Sequence, residues 1–124
     1  MSYELMFWRQ EKMMTQTTEL IAAALQRNEP VEGLSPLPIE MFLTKLMSSF
    51  PGAVKVAGGE REFIRWMSPN EEDTFKVTWS DQHVLVRCNH LPLGEVNEIV
   101  DIAKSFGCPL YDPQTKERFR LVEK

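Results

Sequence analysis

An α+β fold is predicted for this chain by three observations: an opening strand that is apolar at every position, a run of alternating strands in its second half, and separate amphipathic helical stretches around them. The predicted order is β-α-α-β-β-β-α-β, giving a mainly antiparallel sheet with about three helices packed on one face. A split βαβ arrangement is the nearest named architecture. At 124 residues the chain is long enough for one core and too short for two joined by a linker, so residues 1–124 are read as a single domain.

The opening strand runs through Leu5, Met6, Phe7 and Trp8, which are large and apolar on both sides, as an interior strand requires. Glu19 to Arg27 is helical, with Leu20, Ile21, Ala24 and Leu25 on its expected inner face and Asn28-Glu29-Pro30 as its stop. Pro38 suits the first turn of the next helix, where Ile39, Phe42, Leu43, Leu46, Met47 and Phe50 recur at helical spacing until Pro51-Gly52 ends it. Ala53 to Glu60 reads as a loop in which Val54 and Val56 can add a short edge strand.

Phe63, Ile64 and Trp66 mark a strand over Glu62 to Met67. Thr74 to Trp79 sets Phe75, Val77 and Trp79 against Thr74, Lys76 and Thr78. After a turn at Ser80-Asp81, Val84, Val86 and Cys88 face opposite to His83, Leu85 and Arg87, which extends the meander. Pro92 opens a last helix with Val96, Ile99, Val100, Ala103 and Phe106 on one face, and Gly107 stands where a left-handed cap belongs. Pro109-Leu110-Tyr111 is a short final strand, suited to an edge, before Asp112-Pro113 turns the chain toward Phe119-Arg120-Leu121.

The net charge of −4 speaks against a nucleic-acid partner, which would call for clustered Lys and Arg in excess, and suits a basic protein partner. No apolar run is long enough to span a bilayer and no export signal opens the chain, so a cytoplasmic location is expected, with Cys88 and Cys108 as thiols. Those cysteines, with His83 and His90, are the soft metal-ligand candidates. They form no CxxC spacing, and neither a metal nor a cofactor is expected. Ser80, Asp81 and His83 bring hydroxyl, carboxylate and imidazole close in sequence. A catalytic triad needs the imidazole between the other two in space, so a hairpin turn with a solvent-facing histidine is the preferred reading. Gly58-Gly59 lacks the residues of a phosphate loop, and the scattered carboxylates make no recognisable acid/base pair, so no enzymatic role is assigned.

Glu71-Glu72-Asp73 is the densest negative run. A solvated loop accounts for most such runs, and the functional alternative is an acidic knob that docks a cationic protein, extended by Asp81 and Asp112. Trp66 and Tyr111 are the aromatic residues expected to be partly exposed and to serve as anchors.

The opening Ser2-Tyr3-Glu4-Leu5-Met6-Phe7-Trp8 and the closing Ile102 to Gln114, with Phe106-Gly107 and Tyr111-Asp112-Pro113-Gln114, resemble a loose set of small bacterial proteins. These begin with a Tyr-Asp/Glu-Leu…Trp strand and finish with a helix, a glycine and a Tyr/Phe-Asp-Pro-Gln turn. Some proteins of this kind look like immunity proteins that accompany secreted bacterial toxins, including contact-dependent inhibition systems. The resemblance covers strand and turn chemistry and transfers no functional residue. It implies a binding protein that neutralises a cognate toxin, such as a basic nuclease, by occluding its active surface. The alternatives are a small enzyme or ligand-binding domain using a pocket between sheet and helices, or a structural homodimer that pairs exposed strands.

Overall fold

The computed structural model describes residues 2–9, 18–27, 29–31, 34, 36–57, 62–69, 73–108, 110–112 and 117–118. The elements follow the chain as β1 (Ser2–Trp8), α1 (Thr18–Gln26), α2 (Ile39–Ser49), β2 (Val54–Val56), β3 (Phe63–Met67), β4 (Thr74–Trp79), β5 (His83–Asn89), α3 (Leu93–Ser105), β6 (Leu110–Asp112) and β7 (Glu117–Arg118). The strands form one antiparallel sheet in the order β2-β3-β4-β5-β1-β6-β7. The α+β class and the predicted element order hold, with β2 as the added edge strand and β7 continuing beyond β6. β6, with Tyr111 paired on both sides, therefore lies inside the sheet and not at its edge.

β1 is interior, as its composition requires. It pairs with β5 over seven residues, from Ser2 opposite Asn89 to Trp8 opposite His83, and with β6 on its other side. Alternation along the strand then sends Leu5 and Phe7 to one face and Met6 and Trp8 to the other, all buried.

The first face meets α2 and α3. Phe42, Leu43 and Leu46 from α2 and Ile99, Ile102 and Ala103 from α3 pack over Leu5, Phe7, Ile64, Phe75, Val77, Val84 and Val86. The Phe42 amide donates to the Pro38 carbonyl at 3.0 Å, so the proline sits at the helix entry. At the end of α3 the amides of Gly107 and Cys108 donate to the carbonyls of Lys104 and Ala103, the paired bonds of a Schellman cap. Gly107 adopts φ +77°, and a Cβ there would lie 3.3 Å from Nε of Arg9.

The second face corrects the expectation that all helices share one side. Ile21, Ala22 and Leu25 of α1 pack with Met6, Trp8, Leu85 and Tyr111 on the opposite face of the sheet, joined by Val31 and Leu34. The reason lies in β1: its Met6 and Trp8 need cover that α2 and α3, on the other side, cannot give. Within α1 the inner stripe is rotated from the one predicted, since Leu20 is 59% exposed and Ala22 is buried.

The two-sided arrangement makes a testable contrast within one helix. Leu25→Ala should cost about 2–5 kcal/mol of stability in denaturant unfolding, as buried leucine truncations do. Leu20→Ala should stay within about 0.5 kcal/mol of the parent. Equal effects would place α1 elsewhere than on the second face.

Candidate functional site

The second face is covered only in part. α1 has nine residues, so it is about 14 Å long and about 10 Å wide, enough to lie over two or three strands. Its buried contacts fall on β1, β5 and β6. Beyond them, the same face of β3, β4 and the far end of β5 carries Arg65, Lys76, Arg87 and Asn89, all exposed, with Phe63, Thr74 and Thr78 half-buried.

Strand register places three cations abreast. Arg65 is directly opposite Lys76, Lys76 is directly opposite Arg87, and Arg87 is directly opposite Glu4 of β1. Directly opposed residues have Cβ atoms about 5 Å apart, so the row from Arg65 to Arg87 spans about 10 Å at its base. Nε of Arg87 donates to Oε2 of Glu4 at 2.8 Å, and Nζ of Lys76 lies 4.4 Å from the centre of the Phe63 ring, its diagonal neighbour. Among the described residues no carboxylate lies within ion-pair distance of Arg65 or Lys76. Arg65, Thr74, Lys76, Arg87 and Asn89 line a shallow concavity of about 290 Å³, and the same face exposes the apolar side chains of Val54 and Met67.

Three like charges abreast repel, and one exposed ion pair worth about 0.2–1 kcal/mol does not cancel that. Guanidinium groups present rigid forks of donors that fit the oxygens of carboxylates and phosphates, and an ammonium adds a compact point charge. The arrangement is therefore an anion-accepting surface in a chain whose net charge is −4.

Of the acidic residues singled out from the sequence, the described ones, Asp73, Asp81 and Asp112, lie apart in the sheet. Glu71 and Glu72 lie outside the described residues. Asp73 is at one end of β4, where its backbone closes the β3–β4 connection through Ser68: Ser68 N–H to Asp73 O is 2.9 Å and Asp73 N–H to Ser68 Oγ is 3.2 Å. Asp81 is exposed at the other end of β4, about 26 Å away along the strand. Asp112, described in its backbone, is on β6, three strands or about 14 Å from β4.

Trp66 and Tyr111 are on opposite faces. Trp66 is half-buried as expected. It stacks on Phe75 with ring centres 5.3 Å apart and donates from Nε1 to the Pro51 carbonyl, which assigns it to the first-face core. Tyr111 is 3% exposed and packs against Trp8 at 5.3 Å, a correction to its expected exposure. Trp8 of the neighbouring β1 and the α1 cluster above it bury that ring.

The turn between β4 and β5 is also corrected. His83 is 2% exposed rather than solvent-facing, because it sits opposite Trp8 under the second-face cluster, and its Nδ1 is 2.6 Å from Ser80 Oγ. Ser80 Oγ also accepts from the Gln82 amide. Gln82 grips the backbone of Val31 with two hydrogen bonds, and the Leu37 amide donates to the Asp81 carbonyl. This turn fastens the α1–α2 connection to the sheet, and the Ser80–His83 contact belongs to that fastening.

Cys88 and Cys108 are buried and form no disulfide, and among the described residues no group of three or more His, Cys, Asp or Glu is placed to hold a metal ion. No described helix is long and apolar enough to cross a membrane. No protein-family model and no curated protein matches the chain.

The cationic row was absent from the sequence reading, where Lys76 and Arg87 figured only as the polar side of alternating strands. A signal was there: the residues of β3, β4 and β5 contain Arg65, Lys76 and Arg87 and no carboxylate. That the three stand abreast follows from register, which alternation within single strands does not give.

Two outcomes are expected. Arg65→Thr, which relieves repulsion and places a β-branched residue on the strand, should raise stability by about 0.2–1 kcal/mol in low salt, and the gain should shrink as salt screens it. Ser80→Ala should cost about 1–3 kcal/mol by taking a partner from buried His83, measured by denaturant unfolding.

Proposed function

We propose that the protein is a binding protein of the immunity type, and that it docks its partner on the open half of the sheet. The observation that carries this reading is the Arg65–Lys76–Arg87 row, which opposes like charges within the fold and is relieved by an anionic group brought from outside. Val54, Phe63 and Met67 give the same surface an apolar component, so it combines the anchoring and charged parts of a protein interface. The mechanism is occlusion: a flat, hydrogen-bonded sheet face lies over the partner's active surface and blocks access. The resemblance to immunity proteins supplies the kind of partner, a cognate toxin. Asp73 and Asp81, separated along β4, serve the long-range field that steers association, whereas the row makes the contact.

The test is capture and rescue with two sets of variants whose folds are checked by circular dichroism. Substituting Arg65, Lys76 and Arg87 together by Ser should abolish both capture of a toxin identified by mass spectrometry and protection of cells that express it. Charge reversal at Asp73 and Asp81 should slow association several-fold and leave protection in place. Loss of protection with the aspartate variants alone, the row variant remaining protective, would reverse the assignment of the surface.

A further inference from the structure

We infer that the Arg65–Lys76–Arg87 row is a site for one phosphoryl monoester group, centred above Lys76; this rests on the open half of the sheet being the recognition surface. Charge balance is the first argument. Among the described residues, three cations and the carboxylate of Glu4 leave a local excess of two positive charges, which a phosphate monoester at about −1.5 to −2 matches and a single carboxylate does not. Geometry is the second. Arg65 and Arg87 leave the sheet on either side of Lys76, about 10 Å apart at their bases, so their guanidinium forks can converge on one tetrahedral group from two sides. The shallow hollow of about 290 Å³ bounded by these side chains also presents Thr74 and Asn89, which supply hydroxyl and amide donors to remaining oxygens.

Two contacts in the structure restrain the site. Glu4 occupies Nε of Arg87 at 2.8 Å, and the Phe63 ring holds the Lys76 ammonium at 4.4 Å. A phosphoryl group therefore competes with Glu4 for Arg87, and Glu4→Gln should tighten binding where a purely structural role for the Glu4–Arg87 pair would leave it unchanged.

The experiment titrates the full chain with inorganic phosphate at constant ionic strength, followed by amide chemical shifts. Parallel arms use a phosphoserine peptide, acetate and a single-stranded oligonucleotide without terminal phosphate. Saturable shifts at Thr74, Lys76, Arg87 and Asn89 are expected with phosphate and with the phosphopeptide, tightened several-fold by Glu4→Gln and weakened about tenfold or more by Arg65→Ser or Arg87→Ser. A phosphopeptide bound more tightly than free phosphate identifies the source as a modified partner, and equal affinity identifies the free ion. No saturation with phosphate, or equal or tighter binding of acetate or of the oligonucleotide, overturns the inference. The wild-type titration needs no variant to fold. If phosphate fails while the triple-serine variant still loses capture of the toxin, the phosphoryl site falls and the recognition surface stands; if phosphate binds while that variant protects normally, the reverse holds.

Discussion

The structure depends on burying β1 from both sides. Leu5, Met6, Phe7 and Trp8 are each 5% exposed or less, and alternation points them in two directions, so this strand requires a covering layer on each face of the sheet. Each such side chain contributes about 1.5–3 kcal/mol on burial, more than any exposed ion pair in the molecule can. α2 and α3 are committed to the first face, where Ile64, Phe75, Val77, Val84 and Val86 join Leu5 and Phe7. Among the described residues α1, with Val31 and Leu34 from the segment after it, covers the second, and it settles over β1. Among the described residues the apolar cover ends before β4, so the open half of the sheet is a consequence of where the most apolar strand had to lie.

What occupies that half is decided by the charges the strands carry. β4 is secured from its other side, since Phe75 and Val77 are 1% exposed or less within the first-face core. Burial of those two residues outweighs the repulsion felt by Lys76 between two arginines, which allows the row to persist in a stable fold. Arg87 leans on Glu4 and Lys76 on Phe63, and both contacts are at the surface, where each is worth at most about 1 kcal/mol. The row is thus held in place by backbone pairing and not by its own side-chain contacts.

Most of the fold was legible because it rests on patterns local to each element. The apolar stripe of Phe42, Leu43, Leu46 and Phe50, the alternation around Val77 and Val86, and the cap at Gly107 can be read without knowing what lies beside them. The side on which α1 packs was not legible, since a short helix with apolar residues at Leu20, Ile21, Ala22, Ala24 and Leu25 offers more than one stripe. Tyr111 and His83 were misjudged for a related reason: each is polar at its tip, and burial was decided by a distant segment, α1, meeting the sheet above them. The cationic row belongs to the same class. Residues eleven apart in sequence, Arg65 to Lys76 and Lys76 to Arg87, become neighbours only through register.

Placement on strands gives the row a property that loop charges lack. Hydrogen bonding on both sides of β4 fixes the spacing of the three Cα positions, whereas charges in the connections have no such register. The same topology limits what can approach. Asp73 stands about 10 Å from Lys76 along β4, and Asp81 about 16 Å from it in the other direction. Among the described residues, the carboxylate that register brings into the row is that of Glu4. A chain of net charge −4 thereby carries three cations abreast, at positions that strand register fixes.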